Sequence, residues 1–341
     1  MNIELKDLGG LSKPLTRLIE VISAGVGAVA RPYLVRRNAD AKAYAVKSIA
    51  NALGEVAEQH HLQVLVKDEG IEVWQRPDDR TLRLDPVSEE DRTQARAEYQ
   101  ERKRQSNVEQ ITSAAAAELA GDESVPDNAP DEDWVARFFS AAQDVSSDQM
   151  QELWGRILAG EIRRPGSFSL RTLDFVRNIT KSDAELLEKM VNMAVTLGGM
   201  AMVPILDKAW MEKERQLVEA DLFALSELGA MFPTTLALNN FMNGTPGSVL
   251  LISGRRILMV DMAAPAQEVQ MEIWKFTQVG REVIELIAPD GDREHLEKIG
   301  RHYADHGASV RLAEIVERLP DGNYRFQSPI VIAKTDTAGG N

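Results

Sequence analysis

The chain has 341 residues, with 53 acidic and 39 basic side chains, a formal net charge of −14 and no cysteine. The lack of cysteine excludes a disulfide framework, a thiolate metal site and a cysteine nucleophile. The acidic balance argues against a generally basic nucleic-acid coat protein. At about 100–200 residues per domain, the length predicts two or three domains.

The first 50 residues depart from this acidic character, because they hold eight bases and four acids. Within them, residues 21–30 are uncharged, and this run is too short to cross a bilayer, which needs about 20 residues. The run fits either a helix buried in the protein's own core or an amphipathic segment on a membrane surface. The residues predicted to contact a membrane or a partner are Lys13, Arg17, Ile22, Val26, Arg31, Arg36 and Arg37.

Residues 1–120 are predicted to form an N-terminal helical region that includes this basic arm. Apolar residues at three- and four-residue steps predict a helix over 38–59, and residues 62–66 and 71–74 predict a strand pair. Good helix formers dominate 88–119. Residues 121–133 (GDESVPDNAPDED) hold six acids and two prolines, so we expect an acidic linker there.

Residues 134–232 are predicted to form a central α-bundle. Met150, Leu153, Trp154, Ile157 and Leu158 form an apolar helical stripe, which predicts a core position for Trp154. A serine at 167 or 169 caps the next predicted helix, and Ser182 with Glu185 forms a capping box for the one after it.

Residues 233–335 are predicted to form a small winged-helix-like α+β module, followed by a tail at 336–341. The segments 248–252 and 257–260 flank a predicted hairpin turn, and strands are predicted at 269–276 and 324–333. Thr277 caps one predicted helix, and a second helix is predicted at 296–306. The fold class expected for the whole chain is therefore α+β and mainly helical.

Three separated blocks carry a family resemblance. Residues 153–162 (LWGRILAGEI) and 165–173 (PGSFSLRTL) resemble an uncharacterised bacterial family, a domain of unknown function, as do 11–20, 36–43 and 274–282 (WKFTQVGRE). The Trp-x-x-Ile-Leu-Ala and Thr-x-x-Gly pieces more distantly resemble the abortive-infection alpha proteins of bacteria. The resemblance implies a bacterial protein in the neighbourhood of phage defence, and it implies no activity.

His302 and His306 stand four residues apart, the spacing that zinc-binding helices use, with Asp305 and His295 near them in the sequence. A third ligand does not follow from this spacing, and an ordinary surface helix is the favoured interpretation. No GxxxxGK[ST] phosphate loop occurs, and nothing selects a pair among the many carboxylates. We therefore predict no metal, no cofactor and no catalytic residue.

Seven arginines form the candidate phosphate or nucleic-acid site, since guanidinium groups bind phosphate in bidentate geometry. The alternative is that they are ordinary solvated arginines that pair with the many acidic side chains of this protein. They are Arg156, Arg163, Arg164, Arg171, Arg177, Arg255 and Arg256. The favoured function is a non-enzymatic bacterial interaction protein, abortive-infection-like and acting in phage defence, that binds a protein partner or itself. A nucleic-acid-binding protein is the alternative. The expected location is the cytoplasm, with a peripheral position on an anionic inner-membrane surface left open.

Overall fold

The structure is a computed structural model that describes residues 12–26, 88–319 and 323–335 and, by backbone alone, 63–67 and 70–74. The chain divides into two compact units, Met1–Gly166 and Ser167–Asn341. The helix expected at 38–59 lies outside the described residues, as do Arg31, Arg36 and Arg37.

Helices make up most of the described part of the first unit. They are α1 (Lys13–Val26), α2 (Glu89–Leu119), α3 (Glu132–Ala142) and α4 (Asp148–Arg163). Strands β1 (Gln63–Lys67) and β2 (Gly70–Trp74) pair antiparallel, which confirms the expected strand pair. Ser88 caps α2, because its hydroxyl accepts from the backbone N–H of Asp91 at 3.1 Å.

The core of the first unit is aromatic. The Trp154 side chain is fully buried, and its ring centroid lies 5.2 Å from that of Phe138, which in turn stacks on Trp134 at 5.1 Å. Helix α1 packs on α2, α3 and α4 through its buried face, which includes Leu18 and Ile22. The apolar stripe of α4 therefore has the core position expected for it.

The acidic segment 121–133 lies inside the first unit and does not separate the two units. Asp131 caps α3 by accepting from the Trp134 N–H at 3.0 Å, and the carbonyl of Asp127 accepts from Arg17 at 2.8 Å. Asp122 pairs with Arg163 at 2.6 Å. These contacts join the segment to α1, α3 and α4. The segment expected to be a linker is therefore a connection within one unit.

The second unit contains helices and one large antiparallel sheet. Its described helices are α5 (Leu170–Asn178), α6 (Lys181–Asn192), α7 (Lys208–Arg215), α8 (Glu219–Glu227), α9 (Gln278–Ile287) and α10 (Arg293–Asp305). Its strands are β3 (Val195–Leu197), β4 (Met200–Ile205), β5 (Met231–Asn240), β6 (Gly247–Ser253), β7 (Arg256–Met262), β8 (Val269–Phe276), β9 (Ser309–Arg318) and β10 (Tyr324–Val331). Their order in the sheet is β10-β9-β7-β6-β3-β4-β8-β5.

The strand order of the sheet differs from the expected division into a bundle at 134–232 and a winged-helix-like module at 233–335. Residues 195–205 form the β3–β4 hairpin, because Gly198 and Gly199 take φ of 55° and 82° and turn the chain. Strand β4 then pairs with β8, so strands from both expected modules share one sheet. The protein is a mixed α+β fold in which helical residues outnumber strand residues among those described.

Several local predictions in the second unit are confirmed. The β6–β7 hairpin, β8, α9 with its Thr277 cap, α10 and β10 all occur near the expected positions. Ser169 caps α5, whereas the capping box of α6 is formed by Thr180 and Asp183 instead of Ser182 and Glu185. The main core lies between α10 and the sheet, where Leu296, Ile299 and Tyr303 pack against β7 and β9.

Candidate functional site

The junction between β8 and α9 carries a candidate site in the second unit. Thr277 ends the strand and caps the helix, since its hydroxyl accepts from the Gly280 N–H at 3.2 Å. The same hydroxyl donates to the carbonyl of Gly229 at 2.6 Å. A Cβ on residue 280 would collide with the carbonyl oxygen of Ala230, so glycine is required for this close approach.

A cavity of about 370 Å³ opens at this junction. It lies between the β3–β4 turn, the start of β5 and the first turn of α9. Its lining residues are Gly198, Gly199, Met200, Ala201, Phe232, Lys275, Phe276, Thr277, Gln278 and Arg281. We call this space the junction cavity.

Two cationic side chains line the junction cavity. The Lys275 ammonium lies 5.3 Å from the centroid of the Phe232 ring, and Arg281 donates through Nη1 to the carbonyl of Gly199 at 3.1 Å. Neither cation forms an ion pair with a carboxylate of the described residues. The arrangement can attract an anion, because two positive charges line one cavity whose described lining residues include no carboxylate.

The lining also limits the chemistry that the junction cavity can perform. Among the described residues that line it there is no histidine, aspartate, glutamate or serine. Such groups are the usual general bases and nucleophiles of hydrolytic and transfer enzymes. The two cationic groups that line the cavity, Lys275 and Arg281, are hydrogen-bond donors that can contact an anion.

A buried carboxylate supports the junction from beneath. Glu282 in α9 accepts from the Ser169 N–H at 2.7 Å, from the Thr172 hydroxyl at 2.5 Å and from Gln278 at 2.8 Å. These bonds satisfy the carboxylate and join α9 to the N-terminus of α5. Two of the segments that carry the family resemblance, 165–173 and 274–282, thus meet at one side chain.

The seven arginines of the expected phosphate site are divided between the two units. Arg156, Arg163 and Arg164 belong to the first unit, and Arg171, Arg177, Arg255 and Arg256 belong to the second. Arg163 is paired with Asp122, and Arg256 donates to the carbonyls of Asp290 at 2.8 Å and Gly291 at 2.7 Å. The side chains of Arg171, Arg177 and Arg255 are exposed.

The histidines in the described part of the chain are engaged in hydrogen bonds. His302 contacts the carbonyl of Gln270 at 2.9 Å, and His306 contacts the carbonyl of His302 at 2.7 Å. Asp305 accepts from the backbone N–H of Thr335 at 2.7 Å. Within the described ranges, no three candidate ligands come together as a metal site would require.

Buried His295 lies between the carbonyl oxygens of Met193, 3.1 Å from Nδ1, and Pro204, 2.8 Å from Nε2. Burial lowers the pKa of His295, although the hydrogen bond to Pro204 and the charge of Asp292 favour the protonated form. The imidazole therefore joins the end of α6 to strand β4.

The N-terminal arm is only partly available for contacts. Ile22 is 1% exposed, so its expected role in membrane or partner contact is corrected to a core role, whereas Val26 is 43% exposed. Lys13 is exposed, and Arg17 pairs with Glu20 at 3.1 Å. No helix among the described residues is both long and apolar enough to span a bilayer.

The junction cavity was not predicted from the sequence, although two of the segments that line it have distinctive sequences. Lys275 and Arg281 belong to the block 274–282 that carries the family resemblance, and Gly198-Gly199 lies inside the largely apolar run 190–210. Nothing in the local sequence indicated that these segments, which are about 80 residues apart, line the same cavity.

Comparison with known proteins places the chain in a family. A family model described as "Protein of unknown function (DUF2806)" matches residues 91–300, which is more than half of the chain. The match includes 153–173 and 274–282 but not 11–20 or 36–43. No curated protein and no solved structure matches the chain. The chain belongs to the DUF2806 family.

Proposed function

We propose that the protein is a non-enzymatic bacterial interaction protein whose second unit binds an anionic group, such as a phosphate, in the junction cavity. The observation that carries the proposal is the presence of Lys275 and Arg281 in one cavity without a carboxylate among its lining residues. The described lining residues of this cavity include no histidine, aspartate or glutamate, and this composition favours binding over catalysis.

The chemistry of the lining supports a small anion as the ligand. A guanidinium and an ammonium donate charge-assisted hydrogen bonds to phosphate oxygens, and such bonds are stronger than neutral ones. Lys275 is half-buried, so its charge is less screened by water than that of an exposed lysine. The exposed ring of Phe232 provides an apolar surface for the rest of a phosphate ester.

Isothermal titration calorimetry with inorganic phosphate and with adenosine 5′-monophosphate tests this proposal. Because one charge-assisted hydrogen bond contributes about 1.5–3 kcal/mol, Lys275→Ala and Arg281→Ala should each raise Kd about ten- to a hundredfold. Lys181→Ala is the matched control, since Lys181 is exposed in the same unit and does not line the cavity. Absence of binding to the unaltered protein, or an equal loss in the control, would refute the proposal.

A role in phage defence is part of the same proposal. Its support is the resemblance of the Trp-x-x-Ile-Leu-Ala and Thr-x-x-Gly pieces to abortive-infection alpha proteins. In bacteria that express the protein, phage plaque counts should fall relative to an empty vector, and Lys275→Ala should restore them. Equal plaque counts with and without the protein would remove phage defence from the proposal.

Contact of the N-terminal arm with a membrane or partner also belongs to the proposal. The expected location is the cytoplasm, and membrane contact would place the protein peripherally at the inner membrane. Its support is the basic composition of residues 1–50 and the exposure of Lys13 and Val26. Flotation with anionic liposomes should carry the protein to the lipid fraction, and Lys13→Glu should reduce that fraction. Protein that stays in the dense fraction would exclude membrane contact.

Nucleic-acid binding is the second candidate, and the exposure of Arg255 at the tip of the β6–β7 hairpin favours it. Binding to the phosphate backbone of a DNA duplex would weaken steeply with added salt. Arg255→Ala should then lower duplex affinity and reduce the salt dependence. No binding to a duplex at low salt would rule this candidate out.

A further inference from the structure

The two edges of the eight-stranded sheet differ in how they are protected. An edge strand exposes unpaired backbone N–H and C=O groups, and proteins commonly block such an edge with a charge, a proline or a bulge. Strand β10 has all three: Arg325, Pro329 and two register shifts, with Ser328 at φ 51°. This edge is therefore poorly suited to take another strand.

Strand β5 forms the opposite edge and is regular over most of its length. Its one register shift, between Met231 and Thr235, surrounds Pro233. From Thr235 to Asn240 it pairs continuously with β8, and residues 234–240 (TTLALNN) contain neither a charge nor a proline. Among the described residues, no further strand covers the outer side of β5.

We propose that a second copy of this chain pairs antiparallel with β5, with the two-fold axis at Ala237. A two-fold axis perpendicular to the sheet places residue 237 opposite itself, Leu236 opposite Leu238, and Thr235 opposite Asn239. Directly opposite residues then lie on the same face, as the alternation of side chains in a strand requires. This interface is independent of ligand binding in the junction cavity.

Side-chain chemistry supports a second copy as the occupant. The central pair is two small alanines, the leucines pair with leucines, and threonine faces asparagine, so no charged residue of strand β5 faces another across the axis although each chain carries −14. Leu238 already packs against the core beneath α10, while Leu236 is 37% exposed. Pairing would bury Leu236 beside this core and satisfy the backbone groups of the β5 edge.

Sedimentation equilibrium of the full chain across a concentration series tests the proposal. The unaltered protein should be a dimer. Ala237→Lys, at an exposed position, places two ammonium groups opposite each other across the interface, and such a like-charge contact should raise the dimer Kd at least tenfold. Gln327→Lys, an exposed position on the other edge, is the matched control and should leave the dimer intact.

An experiment with oppositely charged variants tests the interface even if one variant folds poorly. Ala237→Lys and Ala237→Glu should each be monomeric alone and should form a heterodimer when mixed, because opposite charges then face each other at the axis. Circular dichroism melting of each variant verifies the fold. A monomeric unaltered protein, a dimer that survives Ala237→Lys, or the absence of a heterodimer on mixing would overturn the proposal.

Discussion

The Thr172 hydroxyl donates to the Glu282 carboxylate at 2.5 Å, and this bond joins two helices whose residues are 110 positions apart in the chain. Both side chains are buried, and the same carboxylate accepts from the backbone N–H of Ser169. Glu282 lies one residue after Arg281, which lines the junction cavity. The bond therefore connects the packing of α5 to the position of a cationic side chain in the candidate site.

Removal of this carboxylate should destabilise the second unit. Glu282→Ala leaves the buried donors Ser169 N–H and Thr172 O–H without their acceptor, and we expect a loss of about 3 kcal/mol in the free energy of unfolding. Chemical denaturation followed by circular dichroism measures the change. Glu188→Ala, at an exposed glutamate of α6, is the control and should change stability by less than about 0.5 kcal/mol. Equal stability of the two variants would contradict the structural role of Glu282.

Trp154 should act through packing rather than through its polar atom. Its Nε1–H is buried and has no hydrogen-bond partner among the described residues, while its ring contacts Phe138. Trp154→Ala should cost about 3–5 kcal/mol, since it leaves a large cavity in the core. Trp154→Phe keeps an aromatic ring and removes the unpaired donor, so its cost should be much smaller. A similar fall in melting temperature for both variants would contradict the expectation that an aromatic ring at this position is enough to keep most of the packing.

His295 should make stability depend on pH below neutrality. Burial lowers its pKa below the unfolded value of about 6.5, so the unfolded chain binds more protons as the pH falls. The contribution of the neutral imidazole is complete above pH 6.5 and is lost as the pH falls toward the folded-state pKa. Burial also lowers the pKa of His302, which acts in the same direction.

Urea unfolding between pH 7.5 and 5 measures this effect, because most carboxyl groups titrate below that range, near pH 4. His295→Asn should lower stability at pH 7.5 and flatten the decline toward pH 5. His302→Asn is the comparison for the part contributed by the second histidine. A decline that is unchanged in His295→Asn would assign the pH dependence to other groups.

Two positions on α1 distinguish core packing from surface contact. Ile22→Asp places a carboxylate in the core of the first unit and should cost several kcal/mol, because a buried charge without a partner is strongly unfavourable. Val26→Asp, at a position 43% exposed, should leave the melting temperature nearly unchanged. Differential scanning calorimetry measures both. A stable Ile22→Asp variant would mean that this face of α1 is not part of the core.

Local signals in the sequence predicted many of the elements correctly. Thr277 caps α9, Trp154 lies in the core and residues 247–262 form a hairpin, because capping, helical periodicity and turn formation involve residues within a few positions of each other. The family resemblance at 153–173 and 274–282 is confirmed by the family model, which covers both blocks.

Tertiary structure alone decided how these elements combine. The apolar run at 195–205 shows no periodicity that would distinguish a buried strand from a buried helix. Only the pairing of β4 with β8 in the sheet shows that the run forms strands. The same pairing merged two expected modules into one unit, and it brought Gly199, Phe232, Lys275 and Arg281 around the junction cavity. Strand order and cavities depend on contacts between residues far apart in the chain, and local propensity carries no information about such contacts.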